Sequence, residues 1–169
     1  WFSVPSLAMT MDKMRMLRPG RFQSIRLSFF GGEAVTENIA RTWQAAAPNS
    51  VVHNVYGPTE ATINITQYRW DPAISPHECV DGGVPLGRCL PGLEVRIVDP
   101  SGDEAALGQK GELIVSGLQV APGYYKNPEA TAKKLVDGWY RTEDAVHLTD
   151  NGELVYLERT EDMRQLSGG

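Results

Sequence analysis

The stretch Asn54-Val-Tyr-Gly-Pro-Thr-Glu-Ala-Thr62 decides the fold. It continues Val51-Val-His-Asn-Val55, an apolar run of the length of a buried strand. Gly57-Pro58 breaks that strand. Thr59, Glu60 and Thr62 then put hydroxyls and a carboxylate on a tight turn. In α/β folds, ligand chemistry collects just beyond the carboxyl ends of the strands.

Upstream, Ile25-Arg-Leu-Ser-Phe-Phe30 reads as a strand running into Gly31-Gly32-Glu33. Glycines there permit either a close backbone approach by a ligand or a plain turn. A helix is expected from about Thr36 to Ala47, with Ile39, Trp43 and Ala46 on one face and Pro48-Asn49 as its stop. Trp1 to Val4 reads as the tail of a buried strand. Ser6 is expected to cap a helix reaching Arg18, with Leu7, Met11, Met14 and Leu17 at helical spacing and Pro19-Gly20 beyond it. The methionines read as core. Strand, helix, strand, helix, strand is the order of a parallel sheet with crossover helices. Both polar turns then fall at the carboxyl ends of strands.

Downstream, residues 71–92 are rich in Pro and Gly and read as a linker between an α/β part, 1–70, and a β-rich part, 93–169. Leu93-Glu-Val-Arg-Ile-Val98 alternates as a half-buried strand, and Pro100-Ser-Gly-Asp103 is a turn. Gly111 to Gly117 is a further strand. A short helix is expected from about Pro128 to Val136. Trp139-Tyr140, Ala145 to Leu148 and Leu154 to Leu157 read as short strands, with a hairpin turn at Asp150-Asn-Gly152. The expected fold class is α/β: part of a mostly parallel sheet, followed by a small antiparallel β subdomain.

Of the 169 residues, 41% are hydrophobic, enough to build a core. A net charge of −5 argues against the basic face that nucleic acid requires, but not against a nucleotide held by a local donor cluster. No stretch is apolar over the length of a bilayer. Two cysteines, Cys79 and Cys89, suggest no disulfide framework and fit a reducing cytoplasm. With His77 they lack a fourth ligand spaced for zinc. The chain begins in mid-pattern at Trp1-Phe2 and stops in Ser167-Gly168-Gly169, as a piece of a longer protein would.

The opening nonapeptide resembles the hallmark of the adenylate-forming superfamily, most closely the amino-acid adenylation domains of nonribosomal peptide synthetases and the stand-alone amino acid–carrier-protein ligases. Further blocks follow the family order. They are Gly31-Gly-Glu33; Gly111-Glu-Leu-Ile-Val-Ser-Gly117 with Gly123-Tyr-Tyr125 and Pro128-Glu-Ala-Thr131; Tyr140-Arg-Thr-Glu-Asp144; and Glu158-Arg-Thr-Glu-Asp162 at the hinge position. The resemblance implies the later part of the large N-terminal portion. The phosphate loop upstream and the adenylating lysine of the C-terminal portion lie outside it, so no turnover is expected from the chain alone.

The family reaction joins a carboxylate to the α-phosphorus of ATP, releases pyrophosphate, and passes the acyl group to a thiol. The resemblance implies ATP and Mg2+ as cofactors. It implies an amino acid and a carrier protein with a phosphopantetheine arm as partners, beside the remaining portions of the enzyme. Glu60 is implied as the metal ligand and Thr59 as the α-phosphate donor. Tyr56 would stack on adenine opposite Gly31 and Gly32, and Asn54 would meet the base edge. Asp144 would take the ribose hydroxyls and Arg159 the ribose or phosphate oxygens. Phe2, Phe29, Gly31, Val55, Ile63 and Asn64 are implied to line a compact, mainly apolar acyl pocket, with Gly31 leaving room at its floor.

The chain departs from the family where Glu143 and Glu158 replace usual glycines. At the hinge, Glu161 aligns with the usual Asp and Asp162 is adjacent, while Met163, Gln165 and Ser167 replace Gln, Lys and Arg. These departures bear on the hinge rotation more than on nucleotide binding. The alternatives are an acyl- or aryl-CoA ligase of the same superfamily and a non-catalytic nucleotide-binding or interaction module.

Overall fold

The computed structural model describes residues 1–159. They form two compact units, one of residues 1–56 and 67–87, the other of 57–66 and the chain from 88 onward.

In the first unit the short strand β1 (Phe2–Ser3) leads into helix α1 (Pro5–Lys13). Val4 holds the N-cap position without a side-chain bond, and Pro5 starts the helix. Ser6, the expected cap, lies inside the first turn instead. Its N–H and its hydroxyl both donate to the carboxylate of Glu33, each at 2.9 Å, so the capping acid comes from the Gly-Gly-Glu turn. The helix also stops earlier than its spacing suggested. Arg15 turns left-handed (φ 58°), and Leu17 is buried from outside the helix. Strand β2 (Leu27–Phe30) and helix α2 (Glu37–Ala46) follow, α2 capped by Thr36, whose hydroxyl accepts from the Ile39 N–H. Strand β3 (Val51–Tyr56) runs one residue past its expected end. β1 pairs with β2 and β2 with β3, all parallel. The order is β1-β2-β3-β4, where β4 (Thr66–Arg69) had no clear signal in the sequence.

Trp43 is the centre of the core. Its ring meets Phe30 edge-on at 5.2 Å and Phe22 stacked at 5.7 Å. Its Nε1 donates to the buried Ser28 hydroxyl, which lies 2.8 Å from that of Ser50. The indole thus adds apolar area while its one donor stays satisfied. Residues 71–87 carry the short helix α3 (Ser75–Glu78) and bury Val84 and Leu86.

In the second unit the first elements are a single 3-10 turn over Thr59–Ala61 and the brief strand β5 (Arg88–Cys89). An antiparallel sheet follows, ordered β10-β9-β7-β6, from β6 (Leu93–Val98), β7 (Gly111–Gly117), β9 (Trp139–Leu148) and β10 (Leu154–Arg159). Helix α4 (Pro128–Lys134) is capped by the Asn127 side chain. Leu135–Val136, expected as its last turn, instead form β8 against β9. The two strands expected at 139–140 and 145–148 are one continuous strand. The hairpin loop is Asp150-Asn-Gly152, closed by Thr149 and Glu153, with Gly152 at φ 77°. The core here is Leu113, Val115, Ala145, Val146, Leu154 and Val155.

Candidate functional site

In the first unit, parallel pairing sets Phe2 beside Phe29 and Phe29 beside His53. Side chains alternate along a strand, so Phe29 and Gly31 share a face, as do His53 and Val55. The Phe29 and His53 rings stack at 5.1 Å. Phe2, Phe29, Gly31 and Val55 therefore lie on one face of the sheet, and Phe30 and Val52 turn to the Trp43 core on the other. Gly31 has a packing reason of its own. A Cβ there would sit 2.8 Å from the Val55 carbonyl oxygen and 2.9 Å from its methyl group. Gly32 has φ 82°, the left-handed conformation that lets the chain turn out of β2.

Asn54 is buried, and its Nδ2 donates to the carbonyls of Val84 (3.2 Å) and Pro85 (2.8 Å). Two carbonyl partners fix which end of the amide is nitrogen. His53 was not singled out in the sequence. Burial, helped by the charge of Arg69, lowers its pKa below 6.5, and Nδ1 lies 2.9 Å from the Gln67 amide. Tyr56 is half-buried at the end of β3.

In the second unit, Glu60 follows exposed Thr59 on the 3-10 turn. The Tyr124 hydroxyl donates to Glu60 Oε1, and the Tyr140 hydroxyl lies 3.4 Å from that of Tyr124. The Ala121 N–H donates to the Glu60 carbonyl at 2.7 Å. Burial raises the Glu60 pKa, but Tyr124, the backbone, Tyr140 and the charge of Lys134 together outweigh it. The net shift is downward, and Glu60 is an ionised carboxylate at neutral pH. Thr62 (φ 57°) and Ile63 (φ 73°) follow in left-handed conformations, with Asn64 half-buried.

Asp144 is placed by a bulge. Glu112 of β7 pairs with Ala145 and Ile114 with Arg141, so Thr142, Glu143 and Asp144 of β9 face Leu113 alone. β10 shifts register at the same level, between Tyr156 and Glu158. Extra residues in one strand re-aim side chains and recur beside functional sites. Here Asp144 becomes the partner of Arg159 across the ladder, and the Arg159 Nε lies 3.1 Å from Asp144 Oδ1. Arg159 also donates to the Thr142 carbonyl at 3.0 Å. Thr142 ties the bulge down. Its hydroxyl donates to the Leu113 carbonyl at 2.7 Å and accepts from the Asp144 N–H at 3.1 Å.

Glu143 takes φ 60°, a conformation natural to glycine, which accounts for the glycine usual at this place. Its N–H donates to Glu112, its carboxylate pairs with Lys134, and that pairing holds its pKa below the usual carboxylate value. The Glu112 carboxylate in turn is gripped by Arg141. The structure thus brings Asp144 and Arg159 together, and gathers Tyr124, Tyr140 and Lys134 around Glu60. Sequence reasoning gave none of those last three a role, although Tyr124 and Tyr140 lie inside quoted motifs. Glu161 and Asp162 lie outside the described residues.

The arrangement is an ionised carboxylate on a hydroxyl-bearing turn, with an acid and a guanidinium paired over a bulge. Residues 1–125 match the model of the AMP-binding enzyme family. The D-alanine–D-alanyl carrier protein ligase of Lacticaseibacillus casei is 32% identical over 99% of this chain and 33% of its own length. The long-chain-fatty-acid–CoA ligase of Haemophilus influenzae is 32% identical over 87% of this chain and 25% of its own. The crystal structure of the Vibrio cholerae adenylation domain AlmE, in complex with glycyl-adenosine-5'-phosphate, superposes with a TM-score of 0.82. It is 34% identical over 94% of this chain and 31% of its own. The chain spans a third or less of the length of each of these relatives. No helix among the described residues is long and apolar enough to cross a membrane. With its mixed α/β fold and antiparallel second sheet, this chain belongs to the AMP-binding enzyme family, the adenylate-forming superfamily.

Proposed function

We propose that the chain is the nucleotide-binding part of an enzyme that adenylates an amino acid with ATP and passes it to a carrier protein's phosphopantetheine thiol. The observation that carries the nucleotide reading is the bulge that seats Asp144 against Arg159. In this reading Asp144 accepts the ribose hydroxyls, and Arg159, through its planar fork, holds ribose or phosphate oxygens. Tyr56 offers its ring to adenine, and the Gly31-Gly32 backbone offers a flat surface without side chains. Asn54 spends its amide N–H groups on Val84 and Pro85, so it would meet the base edge through its Oδ1, as an acceptor. Thr59 donates its hydroxyl to the α-phosphate.

Glu60 fits Mg2+ by the chemistry of its donor: a hard, ionised carboxylate kept charged by its neighbours. Among the described residues no cluster of His, Cys, Asp or Glu forms a metal cage. Mg2+ bound through one carboxylate and substrate phosphates needs none. When bound, the ion supplies charge neutralisation for the meeting of carboxylate and phosphate anions. Tyr124 orients the Glu60 carboxylate.

Phe2, Phe29, Gly31, Val55, Ile63 and Asn64 would line the acyl pocket in this reading. An amino acid is favoured by the carrier-protein ligase among the relatives. An acyl- or aryl-CoA ligase is the second reading, favoured by the apolar row of Phe2 and Phe29 and by the fatty-acid ligase relative. The free thiols of Cys79 and Cys89 accord with a reducing cytoplasm.

ATP–pyrophosphate exchange by the full-length protein, across amino acids with benzoates and fatty acids as controls, tests the proposal. Amino-acid-dependent exchange is expected, and Glu60→Gln should lower it by about 10²-fold or more. Exchange driven only by non-amino acids would select the second reading. Binding of ATP without any exchange would leave a non-catalytic module.

A further inference from the structure

Thr62 and Ile63 form a corner that their own chemistry opposes. Both are β-branched, both stand at positive φ (57° and 73°), and this conformation is costly for such residues. Core packing does not hold them there, since Thr62 is exposed and Ile63 is 59% exposed. Strain of this kind persists only where surrounding contacts over-determine it.

Beside the backbone bonds from Thr62 N–H to the Thr59 carbonyl and from Ile63 N–H to the Pro58 carbonyl, the side-chain contacts come from Gln119. Its Nε2 donates to the carbonyls of Ala61 (3.3 Å) and Asn64 (3.1 Å), the residues on either side of the corner. The Thr62 hydroxyl returns a bond to the Gln119 carbonyl at 2.9 Å. With both partners carbonyls, only the amide nitrogen satisfies them. Behind the corner the backbone lies against Gly57, where a Cβ would come within 2.5 Å of the Ile63 carbonyl oxygen.

We propose that Gln119 is a positioning residue that locks the Thr62–Ile63 corner in its left-handed form and thereby fixes the acyl-pocket positions of Ile63 and Asn64. The proposal rests on the assignment of Ile63 and Asn64 to that pocket. Gln119 need not touch substrate. It acts by deciding where the wall stands, so its effect belongs to the carboxylic acid substrate and not to ATP.

Gln119→Glu keeps the side-chain length but aims an acceptor at two carbonyls. In the full-length protein this variant should raise KM for the carboxylic acid roughly tenfold, with KM for ATP unchanged within about twofold. In the same full-length protein, selectively labelled, the Thr62 and Ile63 carbon chemical shifts should leave their left-handed values. Gln119→Met, equally long and without donors, carries the same test should the glutamate variant not fold. Unmoved shifts, or an equal rise in both KM values, would overturn the proposal. Ile63→Ala separates the two levels of the argument. If it leaves the acid KM unchanged, the pocket assignment fails; if it alters that KM while Gln119→Glu does not, the positioning role alone fails.

Discussion

The two units bury polar groups in different ways. In the first, Ser28, Ser50 and the Trp43 Nε1 form a small neutral set inside an aromatic core. In the second, Glu112, Thr142 and Asp144 are buried along β7 and β9. The charges of Glu112 and Asp144 are matched by Arg141 and Arg159. The neutral set serves packing. The charged set holds a bulge in a shape the ladder alone would not give it. The first unit should therefore answer most to loss of volume, and the second to loss of a hydrogen bond or an ion pair.

The largest effect should come from Trp43→Ala. It removes the residue around which Phe22 and Phe30 pack and takes one of its two partners from the Ser28 hydroxyl, at a cost of about 3–5 kcal/mol. Chemical denaturation with hydrogen exchange at the β2 and β3 amides measures it. A loss under about 1 kcal/mol would mean that the core is not organised around this indole.

Thr142→Val comes next. It preserves shape while deleting both bonds of the hydroxyl, to Leu113 and from Asp144. The expected loss is on the order of 2 kcal/mol, since both bonds are buried. ATP binding should weaken with it, because the bulge carries Asp144. Unchanged stability would show that the bulge is held by its ion pairs alone.

Acid titration should separate the units by pH. His53 in the first unit has its pKa lowered below 6.5 by burial and Arg69. Between the folded and unfolded values, only the unfolded state carries the proton. Stability of this unit thus begins to fall as pH drops through about 6.5. In the second unit, Glu60 and Glu143 have values below 4.5, Glu60 by its hydroxyl and backbone bonds against the opposing effect of burial, and Glu143 chiefly by Lys134. Their contribution is complete above about pH 4.5 and is lost as pH falls through the folded values. Thermal melts from about pH 7 to pH 3, with His53→Gln and Tyr124→Phe, should flatten the upper and lower limbs respectively. If both variants flattened the same limb, the distinction would be erased.

The same contrast explains what was legible in the sequence. The first unit's strand–helix alternation could be read because it depends on local period, and its second helix, Glu37–Ala46, lies within one residue of the expected bounds. The start of the first helix was misjudged because Glu33, distant in sequence, supplies the cap, and its end because Arg15 turns left-handed. In the second unit the strands were found but split at residues 141–144. That break is where the bulge lies, and a bulge reads as non-strand because its alternation slips. Motif resemblance singled out Asp144, Arg159 and Glu60 but gave Tyr124, Lys134 and Gln119 no role. Those act through contacts with residues distant in sequence, which no local pattern encodes.

The smallest expected effect sharpens the comparison most. Glu143 stands in the bulge at φ 60°, where a glycine would be at ease. Glu143→Ala removes the Lys134 pair and keeps the unfavourable conformation. Glu143→Gly removes the same pair and relieves it. The difference between the two variants isolates the backbone, and glycine should be the more stable by about 1 kcal/mol. Wild type should lie close to the glycine variant, because a partly exposed ion pair offsets up to about 1 kcal/mol. Should alanine and glycine prove equal, the bulge would not be strained at Glu143, and the second unit would hold its shape by charge pairing without stored conformational cost.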